Sequence, residues 1–288
     1  MQKKIFIATY LLALLGVACT HQVKSNAVLA QKITGLKTPE SAVQAKDGKI
    51  YVSEINEFGK DGDGRITVIE HGKARVFATG LDDPKGLAII GQTLYVADKT
   101  KILKIDTNGK VQNFVAASAF PSIPLFLNDL EADPQGNLYV SDSGDLFGAG
   151  KGGAVYKINA QGEVKLLIND QQDARIKAPN GLLADNTGEA LIILDFTSGI
   201  LYSLNTKTQV LTDLNEGFGG GDGVVHHSNG SMYVSDWKNG KVFTVNTKGE
   251  VNLLKGGYQS AADIAITKDE KFLLVPDMKA GELDFIPL

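Results

Sequence analysis

Six times along this chain an apolar strand closes on an acidic residue, and the spacing of those closures limits the fold more than any other feature. The segments are Tyr51-Val52-Ser53-Glu54, Tyr95-Val96-Ala97-Asp98, Tyr139-Val140-Ser141-Asp142, Ile193-Leu194-Asp195, Tyr233-Val234-Ser235-Asp236 and Leu274-Val275-Pro276-Asp277. Their acidic residues lie 44, 44, 53, 41 and 41 positions apart. A further β-branched run follows most of them, as in Gly64 to Ile69, Ala154 to Ile158 and Lys241 to Val245. Turn residues such as Thr107-Asn108-Gly109-Lys110 then lead into a fourth run. Four strands repeated every ~40–50 residues are the signature of propeller blades. The chain is expected to be all-β, a six-bladed β-propeller of four-stranded blades. The sixth copy reaches Leu288 after only three strands. A segment from Ala27 to Ile33 is expected to supply the missing strand, closing the last blade and removing an open edge. Residues 27–288 then form one domain, with no linker and no helical pattern of useful length.

Residues 1–18 read as a targeting segment. Met1-Gln2-Lys3-Lys4 is a basic start, Ile5 to Val17 is almost wholly apolar, and Gly16 and Ala18 are small. The single cysteine, Cys19, follows directly and is the candidate mature N-terminus and lipid attachment point. Gly16 stands where a bacterial lipoprotein signal usually has Leu, so plain cleavage near Ala18 is the alternative. Export to a bacterial periplasm or cell envelope follows, with membrane contact only through a lipid anchor. One cysteine permits no intrachain disulfide. The formal charge of −4 offers no basic footprint for nucleic acid, and a monomer is expected.

The chemistry lies at the first strand of each repeat. Aligned on Asn180, the equivalent residues are Glu40, Lys85, Asn128, Asn180, Asp222 and Ala262, each 13 to 15 residues before its acidic closure. The innermost strands of a propeller surround its channel, so these positions meet near the axis. Four of them offer oxygen: Glu40, Asn128, Asn180 and Asp222. Two carboxylates and two amides suit one hard divalent cation, Ca²⁺ before Mg²⁺ or Mn²⁺. Without histidine or thiolate the set disfavours zinc. Pro179-Asn180-Gly181 itself reads as a turn, with Gly accepting positive φ.

The motifs Pro39-Glu40-Ser41, Asn128-Asp129, Asp133-Pro134-Gln135-Gly136, Pro179-Asn180-Gly181-Leu182 and Gly221-Asp222-Gly223 resemble those of the senescence-marker-protein/gluconolactonase (regucalcin-like) family of six-bladed propellers. The resemblance spans essentially everything after the signal. It implies that Glu40, Asn180 and Asp222 bind a divalent metal and that Asn128 lies at the metal or contacts substrate. It also implies that Asp222 is the general base in hydrolysis of a lactone or related ester. Regucalcin-like members carry an Arg, which contacts a sugar acid, where this chain has Phe126. Phe126 and Lys85 are therefore the positions where the substrate is expected to differ, Lys85 by binding an anion or polarising a carbonyl. A salt bridge from Lys85 to Asp222 or Glu40 is the alternative.

Other features are assigned plainer roles. The six closing acids are expected to accept hydrogen bonds from turn amides. His226 and His227 are assigned to packing or surface. Gly59 to Glu70 imitates part of an EF-hand loop but joins two strands, and so reads as a hairpin. Trp237, Phe126 and Phe218 are candidates for an apolar pocket wall. The added length at 144–153 and 169–177 either shapes the site or is a tolerated insertion. Two rivals to the lactonase reading remain: a non-catalytic propeller that binds a ligand or protein on one face, and an organophosphatase-like hydrolase using the same metal set.

Overall fold

The computed structural model describes residues 32–288. Six antiparallel four-stranded sheets stand in a ring, five of them built from consecutive strands. The blades span residues 39–81, 84–115, 127–169, 179–216 and 221–256. The sixth combines Ala265–Ile266, Phe272–Asp277 and Glu282–Pro287 with Ile33–Thr34 from the start of the chain. Ile33 pairs with Leu283 and Thr34 with Glu282, and Lys32 reaches the Glu282 carboxylate. The ring is closed as expected, and within the described residues the closing strand is Ile33–Thr34. Residues 27–31, like the signal segment and Cys19, lie outside the described residues.

Alternation explains the sheets. In Tyr51-Val52-Ser53-Glu54, Val52 is fully buried between blades while Tyr51 is half-buried on the other face. The cores lie between neighbouring blades. Val52 and Ile69 of the first blade pack with Leu274 and Leu283 of the sixth, beside Ile33. Each such aliphatic side chain contributes about 1.5–3 kcal/mol by leaving water, so closure couples both ends of the chain through burial as well as through two pairs of strand residues.

The five regular innermost strands, Pro39–Gln44, Pro84–Ile90, Leu127–Ala132, Pro179–Ala184 and Gly221–His226, share one irregularity. In each, register slips over two residues near the start: between Pro39 and Ala42, Pro84 and Leu87, Leu127 and Leu130, Pro179 and Leu182, and Gly221 and Val224. The slipped pairs are Glu40-Ser41, Lys85-Gly86, Asn128-Asp129, Asn180-Gly181 and Asp222-Gly223. A bulge of this kind re-aims a side chain out of the pleat.

Pro179-Asn180-Gly181 is therefore the bulged start of a strand and not a turn, and Gly181 has no positive φ. Its lack of a side chain has another cause: a Cβ there would stand 2.4 Å from the Asp222 carbonyl oxygen. At Gly86 the obstacle is the Leu130 amide nitrogen, also at 2.4 Å. Glycine lets neighbouring innermost strands approach each other closely around the narrow channel.

Candidate functional site

The bulges bring the ring residues to one end of the channel. Glu40, Lys85, Asn128, Asn180 and Asp222 are all at most 4% exposed and line one pocket. Ala262, the sixth position, is buried beside Ile55 and Met278.

The polar atoms of this ring fall into two groups. Asn128 donates from Nδ2 to Ser143 Oγ at 3.1 Å, and Asn180 donates from Nδ2 to Asp222 Oδ1 at 3.2 Å. Each amide is thereby oriented with its oxygen left over. Asn128 Oδ1, Asn180 Oδ1 and Glu40 Oε2 are buried and have no hydrogen-bond partner. A buried acceptor without a partner costs about 1–3 kcal/mol, and three converge here. That is the pattern a hard cation satisfies, since it needs oxygen acceptors and no donors. Among the described residues no three His, Cys, Asp or Glu side chains gather as a metal centre. The donor set is two carboxylates with two amides, and those residues fit a divalent cation.

Electrostatics point the same way. Burial holds the Glu40 carboxyl well above the usual range, the nearby Asp222 raises it further, and Lys85 opposes both. Asp222 is also held high, by burial and then by Asp129. Beneath the ring, Asp129 is pushed up to about 6 by burial, and Asp263 is raised by burial, Asp129 and Glu40. Acidic side chains outnumber the one buried ammonium in this channel, and a bound cation would relieve that imbalance.

Asp129 and Asp263 differ from the ring in having partners. Asp129 accepts from the Leu130 and Leu182 amides, each at 2.6 Å, and Asp263 accepts from Ser41 Oγ at 2.6 Å. They tie adjacent innermost strands together below the site.

Lys85 makes neither of the salt bridges offered as the alternative for it. Its ammonium donates to the Asp83 carbonyl at 3.1 Å and lies over the Phe126 ring, 4.2 Å from the centroid. Burial lowers its pKa, partly offset by Glu40 and Asp83. Phe126 thus lines the pocket and covers the buried ammonium of Lys85.

A second ring, missed in the sequence, lies over the first. In all six repeats the residue after the closing acid donates its backbone N–H to the carbonyl two residues before the ring position. The pairs are Ile55 to Thr38, Lys99 to Asp83, Ser143 to Phe126, Phe196 to Ala178, Trp237 to Gly220 and Met278 to Ser260, at 2.8 to 3.3 Å. Four of these six, Ile55, Phe196, Trp237 and Met278, line the same pocket. The signal was available as the position following each Asp or Glu of the repeat. Trp237 donates Nε1 to Met278 Sδ at 3.4 Å and faces Phe196 with ring centroids 6.1 Å apart.

The 144–153 insertion adds Leu146 and Phe147, and Phe147 meets Phe126 edge-on at 5.6 Å. That loop shapes the site. The 169–177 insertion does not reach it; there Arg175 bridges Asp173 and Asp213. Phe218 is not a wall residue. It is fully buried between blades against Leu194, Val224 and Val234. His226 is exposed at the far end of its strand, and His227 stands 3.6 Å from Glu270.

Fold and site together define a six-bladed propeller with an oxygen-rich ring at one mouth of its channel. Residues 83–253 match the model of the SMP-30/Gluconolactonase/LRE-like region family, and the chain belongs to that family. The likeness read from its motifs is borne out. No curated protein matches the sequence. Among solved structures, a gluconolactonase from Xanthomonas campestris superposes with a TM-score of 0.72 at 15% identity, covering 89% of each chain. A calcium-binding protein, regucalcin, from Agrobacterium tumefaciens strain C58 gives 0.70 at 20% identity over 88% of this chain and 91% of that one. A streptogramin B lyase gives 0.62 at 11%, over 89% and 97%. At such identities these structures share the fold and no more.

Proposed function

We propose that this chain is a divalent-cation-dependent hydrolase of lactones or related esters. The observation that carries the reading is the convergence of Glu40 Oε2, Asn128 Oδ1 and Asn180 Oδ1, buried and without partners, in one pocket with Asp222. Family membership supports hydrolysis, and the calcium-binding regucalcin of like fold supports Ca²⁺ ahead of Mg²⁺ or Mn²⁺. Glu40, Asn128, Asn180 and Asp222 would hold the cation, which would supply Lewis-acid polarisation of a substrate carbonyl.

The remaining work falls to side chains. Asp222 keeps Oδ1 on the Asn180 amide and takes the proton of the attacking water on Oδ2. The water oxygen bonds to the carbonyl carbon, the carbon–oxygen bond of the ester breaks, and the proton passes to the departing alkoxide. Ser143 and Asp222 fix the two amides, so the oxygens are set before substrate arrives. Lys85, held by the Asp83 carbonyl, offers its remaining donors to a polar oxygen of the substrate. The aromatic wall limits water at the reacting carbon.

The test is a panel of γ-lactone, aryl ester and phosphotriester with Ca²⁺, Mg²⁺, Mn²⁺ or chelator. Hydrolysis of lactone or ester is expected, lost with chelator and restored by Ca²⁺. Metal-independent turnover would overturn the mechanism. Preference for the phosphotriester would move the chemistry to phosphorus. No turnover and no Ca²⁺ binding at millimolar concentration would leave a non-catalytic propeller. Export and lipidation of Cys19 are proposed from the sequence, and the mass of the mature N-terminus checks them.

A further inference from the structure

The pocket combines a buried polar cluster with an apolar lining. Its polar side chains, Glu40, Lys85, Asn128, Asn180 and Asp222, are all almost fully buried. The other lining side chains are apolar: the second-ring residues Ile55, Phe196, Trp237 and Met278, then Phe58, Phe126, Leu146 and Phe147, with the Lys238 and Lys279 ammoniums lying over the Phe196 and Trp237 rings. Phe58 is 48% exposed and Phe147 80% exposed. Large apolar side chains left open at the rim of a concave site mark it for an apolar ligand. The pocket is only about 60 Å³, far below the few hundred Å³ that engulf a whole small molecule. Only the reacting end of a substrate reaches the floor, and the rest lies against the aromatic wall.

We infer that the substrate is a lactone or ester with an alkyl or aryl tail, and not a polyhydroxylated sugar lactone. The inference rests on the hydrolase reading for the reacting group, but the tail is argued from the wall alone. A sugar ring placed here would set its hydroxyls against Phe126, Phe196 and Trp237. Those hydroxyls would lose water and gain no partner, which a binding site penalises heavily. An alkyl tail instead gains about fourfold in affinity for each methylene it buries. Phe126 is part of this wall and lies over the Lys85 ammonium, 4.2 Å from the ring centroid.

Trp237 is the only tryptophan in the chain and stands in this wall, so its fluorescence reports ligand binding without any turnover. The experiment titrates the full chain with Ca²⁺ present, using γ-ethyl, γ-butyl and γ-hexyl lactams and glucono-δ-lactam as unreactive stand-ins for the lactones. The expected result is a Kd that falls about three- to fourfold per methylene, with the sugar lactam weakest. In Phe147→Ala, an exposed loop position, the gain from butyl to hexyl shrinks at least twofold. A Kd independent of tail length, a tighter sugar lactam, or no response of Trp237 to any of the four overturns the inference. The hydrolysis panel fails separately. Tail-dependent binding with no turnover of any lactone refutes the hydrolase and leaves the apolar site. Turnover with no tail dependence does the reverse.

Discussion

Two sets of six equivalent positions lie a strand apart in every blade, and they are almost equally buried. The closing acids Glu54, Asp98, Asp142, Asp195, Asp236 and Asp277 are at most 3% exposed, as are Glu40 and Asn180 of the ring. They differ in what satisfies them. Asp195 accepts from the Lys177, Ala178, Thr197 and Ser198 amides at 2.7 to 3.1 Å. Asp142 accepts from Phe126 and Gly144, and Asp277 from Gln259 and Ser260. In each case the acid holds the backbone that leads into the ring strand. Three of the ring residues that this backbone presents, Glu40, Asn128 and Asn180, have an oxygen with no partner. Burial and repetition therefore do not separate a scaffold residue from a site residue, whereas hydrogen-bond satisfaction separates most of them, Asp98 and Asp222 excepted.

The comparison is sharpest as two substitutions read by two measurements. Asp195→Ala leaves four amides without their acceptor and is expected to lower unfolding free energy by about 4 kcal/mol in urea melts. Asp222→Asn keeps the shape and removes a buried charge, so its stability should stay within about 1 kcal/mol of the parent. Its lactone turnover should fall about 10³-fold, and the Ca²⁺-induced rise in stability, about 2.7 kcal/mol at a hundredfold excess over Kd, should disappear. If Asp222→Asn instead unfolds the protein, or Asp195→Ala leaves it as stable as before, the division between the two sets is wrong.

One closing acid stands between the sets. Asp98 accepts from the Asp82 amide at 2.9 Å through Oδ1, but its Oδ2 has no hydrogen bond and only Lys101 at 3.5 Å. Burial pushes its carboxyl up to about 6, with Lys101 opposing. The sign follows directly. A folded-state value above the unfolded one means that the folded state holds the proton more tightly between about pH 4 and 6. Its contribution to stability is full below about pH 4 and is lost as pH rises through 6. Asp98→Asn, which stays neutral, is expected to be more stable than the parent by about 3 kcal/mol at pH 8 and by less than about 1 kcal/mol at pH 4. A stability difference that does not change with pH would show that burial does not govern the Asp98 carboxyl.

Much of this was legible in the sequence. The propeller followed from period-2 runs recurring at a blade's length, because strand burial writes itself directly into alternation. The ring followed from a shared register, since equivalent strands must meet at an axis. What could not be read depended on neighbours far along the chain. Gly181 looked like a turn glycine, yet its constraint is the Asp222 carbonyl, 2.4 Å from any Cβ. Phe218 looked like a wall residue, yet it packs against Leu194 and Val234 between blades. Phe147 reaches the pocket by the path of a loop that no periodicity describes. Of the apolar second ring only Trp237 was read as a wall residue, although Ile55, Phe196, Trp237 and Met278 each follow a closing acid by one residue.

The smallest expected effect tests the seam between scaffold and site. Ser235 Oγ accepts the Gly223 amide at 2.8 Å and donates to the Ala262 carbonyl at 2.8 Å, so it fastens the bulge that presents Asp222 to the next blade. Ser41 and Asp129 have the same amide contact to Ser53 and Ser141. The fourth repeat has Leu194 at this position and the sixth Pro276, so the ring closes without a hydroxyl in every blade. Ser235→Ala should then lower unfolding free energy by about 1 kcal/mol. If the bulge only supports Asp222, Ca²⁺ affinity should weaken by less than about tenfold, equivalent to 1.4 kcal/mol, with tail-length dependence at Trp237 unchanged. Loss of Ca²⁺ binding as complete as in Asp222→Asn would mean that the bulge itself, through its backbone, belongs to the site.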